Sequence, residues 1–233
     1  MARHKIKSDE EDPITVIIAA AGAGRRMKSY GPKPLLNIKG KTILSRQLEH
    51  IKLKFPNANI LLVCGFEADR VMDQVHGDII TLENENYQDT NITRSVSIAL
   101  RAMQSDRVLI ICGDLVFSKG ALDCLDFTQA SILALKNENQ SSEVGCIVGD
   151  DGYIKNMMYD LELKWAQMIY LQDRPLNIFK SLVFDRDNKK LFLFEIINKI
   201  IDNGCKIKCI THDSIQIVDV DVSKDIILAE EIV

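Results

Sequence analysis

Ile17-Ile18-Ala19-Ala20-Ala21-Gly22-Ala23-Gly24-Arg25-Arg26-Met27, followed by Gly31-Pro32-Lys33-Pro34-Leu35, is the stretch on which the reading of this chain turns. The β-branched and apolar run from Thr15 to Ala21 reads as a strand, and the glycine-, arginine- and proline-rich residues from Gly22 to Pro34 read as a loop. Small residues at the end of a strand let backbone approach a ligand closely, so that N–H groups can cradle phosphate oxygens. Ala20, Ala21, Gly22, Ala23 and Gly24 are therefore candidate nucleotide-binding residues. Arg26 brings a forked cation close to the glycines, and Lys33 brings a point charge held between two prolines.

Three kinds of glycine loop compete for this stretch. A dinucleotide fingerprint needs a third glycine where Met27 stands, and it needs an acidic partner that is absent at the right distance. A P-loop ending in Gly40-Lys41-Thr42 needs a glycine where Leu35 stands. A tight turn that merely requires glycine leaves Arg26 and Lys33 unexplained.

Outward from the loop, the chain alternates between strand and helix patterns. Thr42 is a plausible N-cap for a helix from Ile43 to Lys54, whose Ile43, Leu44, Leu48 and Ile51 share one face. A strand at 59–64, a helix at 67–75, a strand at 79–82 and a helix at 95–103 follow. The fully apolar Val108 to Cys112 suits a central parallel strand buried on both faces, with Gly113-Asp114 at its carboxyl end. This βαβ alternation argues for a doubly wound sheet covered by helices on both sides.

Beyond about residue 130 the strands shorten, at 132–135, 144–148, 153–158 and 166–171. A helix over 191–202 ends at Asn203-Gly204, strands fall at 207–210 and 215–220, and Ser223 caps a last helix over 224–232. No repeat or linker interrupts this. The expectation is a solvated tail over 1–13 and one domain over 14–233, with a nucleotide-binding half (14–128) and an acceptor half (129–233).

Composition sets the outer bounds. The 46% hydrophobic and 27% charged residues are those of an ordinary globular protein with material for a core. Twenty-nine Lys and Arg against 33 Asp and Glu leave a net charge of −4, which points to neither a nucleic-acid nor a membrane partner. No apolar run is long enough for a membrane helix, and the acidic Asp9 to Asp12 separates the basic N-terminus from the first apolar run, unlike a signal peptide. The six cysteines form no C-x-x-C pair, and several lie in apolar runs as reduced, buried thiols do. A cytoplasmic location is expected.

Gly22, Gly24, Arg26, Met27, Pro32 and Lys33 match, position for position, the G-x-G-x-R-M…P-K signature of the nucleotidyltransferases. The chain resembles in particular the sugar-1-phosphate nucleotidylyltransferases and the phosphocholine cytidylyltransferases. The likeness extends through Asn86 to Ser95, similar to the Y-x-x-T-N-N-x-x-S segment of the phosphocholine-type members, although Ile92 stands where they have a second asparagine. It continues through Ile111 to Phe117, which resembles the family's G-D segment, and through Val218 to Asp225, which resembles its E-I-D-T-x-x-D stretch. The H-D-A-A-R-P segment of the isoprenoid-precursor branch is absent.

The resemblance implies a three-layer α/β/α, Rossmann-like mixed sheet of the nucleotide-diphospho-sugar transferase type. It implies that Arg26, Lys33 and Asp114 are catalytic, and that Asn91, Ser95 and Gly113 join the loop in binding the nucleotide. Asp114 and Asp221 would hold Mg²⁺. Asp219 shares a strand face with Asp221 and stays open as the second ligand, while Asp225 suits the first turn of the last helix. Trp165, Glu195 and Asn198 fall in short stretches like the acceptor-binding half of the family, and Trp165 equally suits a core.

The expected reaction joins an NTP, CTP by preference, to a small phosphomonoester such as a sugar phosphate or phosphocholine, releasing pyrophosphate. A phosphomonoester with a second pKa of about 6 is already largely ionised, so no strong base is required. The four histidines have no triad spacing, which agrees. Two other readings stand beside it. Asp219-Val220-Asp221 is a D-x-D, as in metal-dependent glycosyltransferases, but it lies near the last helix and leaves the glycine loop unexplained. A non-catalytic nucleotide-binding module on the same fold is the third.

Overall fold

In the computed structural model, residues 13–24, 30–136, 143–213 and 215–233 are described. The chain runs β1 (Thr15–Ala20), a hairpin of β2 (Asn37–Ile38) and β3 (Lys41–Thr42), α1 (Ile43–Lys54), β4 (Asn59–Cys64), α2 (Ala68–Met72), β5 (Ile79–Glu83), α3 (Ile92–Ala102), β6 (Arg107–Cys112) and β7 (Leu115–Phe117). There follow β8 (Ser131–Lys136), β9 (Val144–Val148), β10 (Ile154–Tyr159), β11 (Leu163–Gln172), α4 (Asp173–Phe184), α5 (Leu193–Asp202), β12 (Lys208–Thr211), β13 (Ile217–Asp219) and α6 (Ser223–Glu231).

One mixed sheet organises the molecule, in the order β10-β9-β11-β6-β1-β4-β5, with β8 beside β11 and β12 beside β8. The first half of the chain supplies parallel pairs, β1 with β4 and β6, and β4 with β5. The second half adds β11 antiparallel to β6, which makes the sheet mixed.

Alternation along each central strand feeds two cores. Ile17, Val108 and Ile110 face α3, α4 and α5, whereas Val16, Ile18, Leu109 and Ile111 face α1 and α2. Each fully buried Ile or Leu contributes roughly 1.5–3 kcal/mol relative to leaving it exposed. Helix α5 shows why these residues choose a helix: Leu193, Ile196, Ile197 and Ile200 are all buried and recur at the spacing of a single face. Thr42 does cap α1, its hydroxyl accepting from the Ser45 N–H at 3.1 Å.

Several boundaries differ from the sequence reading. Helix α3 begins at Ile92 rather than at 95, with Asn91 in extended conformation before it. Ser223 is the first residue of α6 rather than its cap, and the Asp225 carboxylate accepts the N–H groups of Asp221 and Val222, both at 2.8 Å. No element was read over 173–184, where α4 lies; Pro175 sits in its first turn, where a missing N–H costs no helical bond. Leu115–Phe117 and Ile217–Asp219 form a separate antiparallel pair rather than joining the main sheet. Among the described residues no helix is long and apolar enough to cross a membrane.

Candidate active site

Strands β1 and β6 end side by side, and the chain beyond them lines a cleft of about 250 Å³. Its floor is backbone and small side chains: Ala19, Ala20, Ala21 and Gly22 from one strand end, Cys112 and Gly113 from the other. This is the crevice outside the carboxyl ends of parallel strands, where open α/β sheets bind ligands. Gly113 is required there by packing. A Cβ on it would meet Ala20 Cβ at 2.7 Å and Ala20 Cα at 2.8 Å, while its N–H donates to the Ala19 carbonyl at 2.9 Å. Gly22 has nothing within 4 Å of such a Cβ, so the space beside it is open.

The cleft's opposite wall comes from the segment leading into α3, including Asn84, Tyr87, Thr90, Asn91, Ile92 and Ser95. Asn84 and Ser95 are buried, and the Asn84 amide donates to the hydroxyls of Thr90 and Ser95, each at 3.1 Å. Asn91 donates to the Lys190 carbonyl at 2.5 Å, so its side chain also ties the wall to the second half of the chain. Ala23 and Gly24 lie further out, in an open extension of the cleft bounded by Phe66, Tyr87 and Gln88. Gly24 has φ +50 and Lys33 Cγ lies 3.3 Å from where its Cβ would be, so the loop turns directly over the lysine. Arg26 and Met27 lie outside the described residues.

Lys33 is the centre of the arrangement. Held between Pro32 and Pro34 in a single 3₁₀ turn, it is 9% exposed, and its ammonium donates to Asp114 Oδ2 at 2.9 Å and to Asp221 Oδ1 at 2.5 Å. Burial disfavours the charged lysine, but the two carboxylates outweigh it and its pKa is raised.

Asp219 joins Asp114 and Asp221, all three offering carboxylate oxygens within 4.8 Å of one another. Burial, then the charges of Asp114 and Asp221, pushes the Asp219 carboxyl up to about 8. Its Oδ2 accepts from the Gln167 amide, but its Oδ1 is buried with no hydrogen-bond partner. A cluster of three carboxylates, one of them with a buried oxygen that has no hydrogen-bond partner, is a donor set suited to a hard divalent cation, which prefers oxygen ligands. The residues therefore fit Mg²⁺ or a similar ion.

A second cavity, of about 370 Å³, shares Asp114 and Gln167 with the cleft. Tyr159, Trp165, Phe192, Phe194 and Glu143 line it together with Asp114, Gln167, Asp219 and Asp221. Phe192 and Phe194 stack with ring centroids 6.1 Å apart, and Tyr159 meets Phe194 edge-on at 5.4 Å. Lys164 pairs with Glu143 at 3.2 Å, and no basic residue lines the cavity among the described residues.

The three residues expected to bind an acceptor divide. Trp165 lines this cavity but is 5% exposed, its indole N–H donating to the Met168 carbonyl at 3.0 Å. Glu195 and Asn198 are not brought into it. Glu195 accepts the Phe192 N–H at the start of α5, and Asn198 exchanges two 2.8 Å hydrogen bonds with the backbone of Met157. Gln167, Glu143, Tyr159 and Phe192 escaped the sequence reading. They are single residues on separate elements, without a motif to announce them.

A family profile described as "MobA-like NTP transferase domain" matches residues 16–155. Among curated proteins, the bifunctional protein GlmU of Sulfurovum sp. is 25% identical over 94% of this chain and 54% of its own length. GlmU of Neisseria meningitidis is 32% identical over 85% of this chain and 46% of its own length. The chain thus spans about half the length of these relatives. Among solved structures, the CTP:phosphocholine cytidylyltransferase LicC of Streptococcus pneumoniae aligns over 95% of this chain and 99% of its own, with a TM-score of 0.80 and 18% identity. The inositol-1-phosphate CTP transferase of T. maritima aligns over 94% of this chain and 95% of its own, with a TM-score of 0.75 and 16% identity. At such identities the likeness is one of fold.

Proposed function

The chain belongs to the MobA-like NTP transferase domain family, and on that premise we propose that it joins a nucleoside triphosphate to a small phosphomonoester, releasing pyrophosphate. The observation that carries this reading is Lys33, which holds Asp114 and Asp221 together where the glycine-floored cleft meets the aromatic cavity. On this reading the nucleotide occupies the cleft, largely within 14–128, and the acceptor occupies the cavity, largely within 129–233. CTP is the favoured nucleotide, because the wall from Asn86 to Ser95 resembles the phosphocholine-type segment and both structures compared above carry CTP in their names.

The residues divide the work of bringing two anions together. The backbone from Gly22 to Gly24, with Arg26, cradles the β- and γ-phosphates. Two of the three ammonium protons of Lys33 go to carboxylates, which leaves the third for an oxygen on the α-phosphate. Asp114 and Asp221, with Asp219 beside them, would hold Mg²⁺, which when bound offsets negative charge on the phosphates. The acceptor's phosphate oxygen attacks in line with the departing pyrophosphate, and positioning and charge neutralisation supply the catalysis. Stacked rings beside acidic groups favour an acceptor whose far end is cationic, such as a quaternary ammonium, over a polyol.

Pyrophosphate release in the presence of Mg²⁺, scanned over five NTPs against phosphocholine-like and sugar phosphates, tests the proposal. A signal requiring CTP, a cationic phosphomonoester and the metal is expected. Sugar phosphate as sole acceptor would overturn the acceptor reading. NTP-dependent thermal stabilisation without turnover would favour a binding module, and release of a nucleoside diphosphate would favour a glycosyltransferase.

A further inference from the structure

Strand β11 changes neighbour in its middle. Leu163 to Trp165 pair with β8 on one side, and Lys164 pairs with Gly145 of β9 on the other. From Met168 onward β8 is kept, but the other side pairs with β6, Met168 lying opposite Ile111. The register with β8 shifts between Trp165 and Ile169, so the sheet forks there. Gln167 sits in that fork with φ +54, a left-handed conformation rare for a long side chain in mid-strand. It lines both the cleft and the cavity.

The bulge does not account for the glutamine side chain. Trp165 braces the bulge itself, its indole N–H reaching over to the Met168 carbonyl. The neighbouring Ala166 and Met168 are apolar and buried. The Gln167 amide instead donates to Asp219 Oδ2, leaving Asp219 Oδ1 as the atom without a partner. We infer that Gln167 is a positioning residue for the cation site: its amide fixes Asp219 at the fork so that the free carboxylate oxygen faces Asp114 and Asp221. Partners of metal ligands that fix their orientation govern affinity in this way, and their loss typically costs about 10–100-fold.

This inference rests on the proposed function only in taking the acids as a cation site. Its test uses Gln167→Gly, which suits the left-handed backbone and deletes the amide, and Gln167→Asn, which keeps an amide one methylene short. Mn²⁺ affinity is read from the spin-resonance signal of the free ion, alongside unfolding midpoints in EDTA and turnover at rising Mg²⁺. The expected result is Mn²⁺ binding weakened about 10-fold or more in both variants, midpoints within a few degrees of native, and lost turnover recovered by excess Mg²⁺. Mn²⁺ affinity within about twofold of native, or a turnover loss that excess Mg²⁺ leaves in place, overturns the inference. A native chain that binds no Mn²⁺ overturns it and the cation site together. A native chain whose Mn²⁺ affinity depends on Gln167 but which turns over no NTP leaves the inference standing and removes the functional reading.

Discussion

The cleft beside β1 and the cavity beside β11 share Asp114 and Gln167 in their walls, yet they are built by opposite means. On the cleft side the side chains withdraw: Ala19 to Gly22 and Gly113 leave peptide groups as the surface. On the cavity side the backbone withdraws and large rings fill in, from Tyr159, Trp165, Phe192 and Phe194. A backbone surface suits a ligand part common to all NTPs, because phosphate needs N–H groups and charge rather than shape. A surface of side chains suits the part that varies between acceptors, since each ring changes by a single substitution. On the function proposed above, acceptor specificity on the cavity side would be separable from phosphate binding on the cleft side.

That contrast is open to direct attack. Its strongest test lies where the two sides meet. Lys33→Ala and Asp114→Asn should each lower kcat by about 10²–10³-fold, with nucleotide-dependent thermal shifts retained. Near-native turnover in either removes that residue from the mechanism.

The cleft's glycines should separate by role. Gly113→Ala drives a Cβ into Ala20 and should lower stability by about 1–3 kcal/mol in denaturant titration. Gly22→Ala meets open space, so its midpoint should stay native while NTP affinity falls. If both lose stability alike, the open loop is scaffold rather than binding surface.

On the cavity side Phe192→Ala should raise the acceptor KM by about fivefold and leave the NTP KM unchanged, measured by pyrophosphate release. Equal movement of both constants would break the division between the two sides.

The smallest expected effect concerns Asp219. Its carboxyl titrates near 8 in the folded protein against an ordinary 3.8, so between those values the folded state holds a proton that the unfolded chain has released. Its contribution to stability consequently falls as pH rises through that window. In EDTA, Asp219→Asn should melt a few degrees above native at pH 8, with the gain shrinking towards pH 4. A gain that does not depend on pH would contradict this assignment.

The same contrast governs how much was legible before the structure. The cleft reads as contiguous words: Gly22 to Gly24, Pro32-Lys33-Pro34 and Gly113-Asp114 each carry their chemistry at fixed spacing, because backbone surfaces need runs of small residues. The buried strands were equally plain, Val108 to Cys112 above all. The cavity is assembled from residues that look ordinary where they stand. Glu143, Tyr159, Gln167 and Phe192 come from different elements, and only the fork in the sheet brings Gln167 to Asp219. Glu195 and Asn198 come from a short stretch like the family's acceptor half, and in the structure the one accepts an N–H where α5 begins and the other bonds the Met157 backbone. Helix α4 was missed because Pro175 punctuates the sequence as a breaker while the helix needs no N–H at that point.

The brace over the bulge gives the molecule a property of a different kind. Trp165 is the chain's only tryptophan, and its ring forms part of the cavity wall with its N–H already committed inside. All indole emission of the unlabelled protein therefore arises from one ring at one place. A ligand entering the cavity alters the polarity and the quenching groups around that ring and no other indole, so an ordinary fluorimeter follows occupancy of the cavity with no dye and no coupled assay.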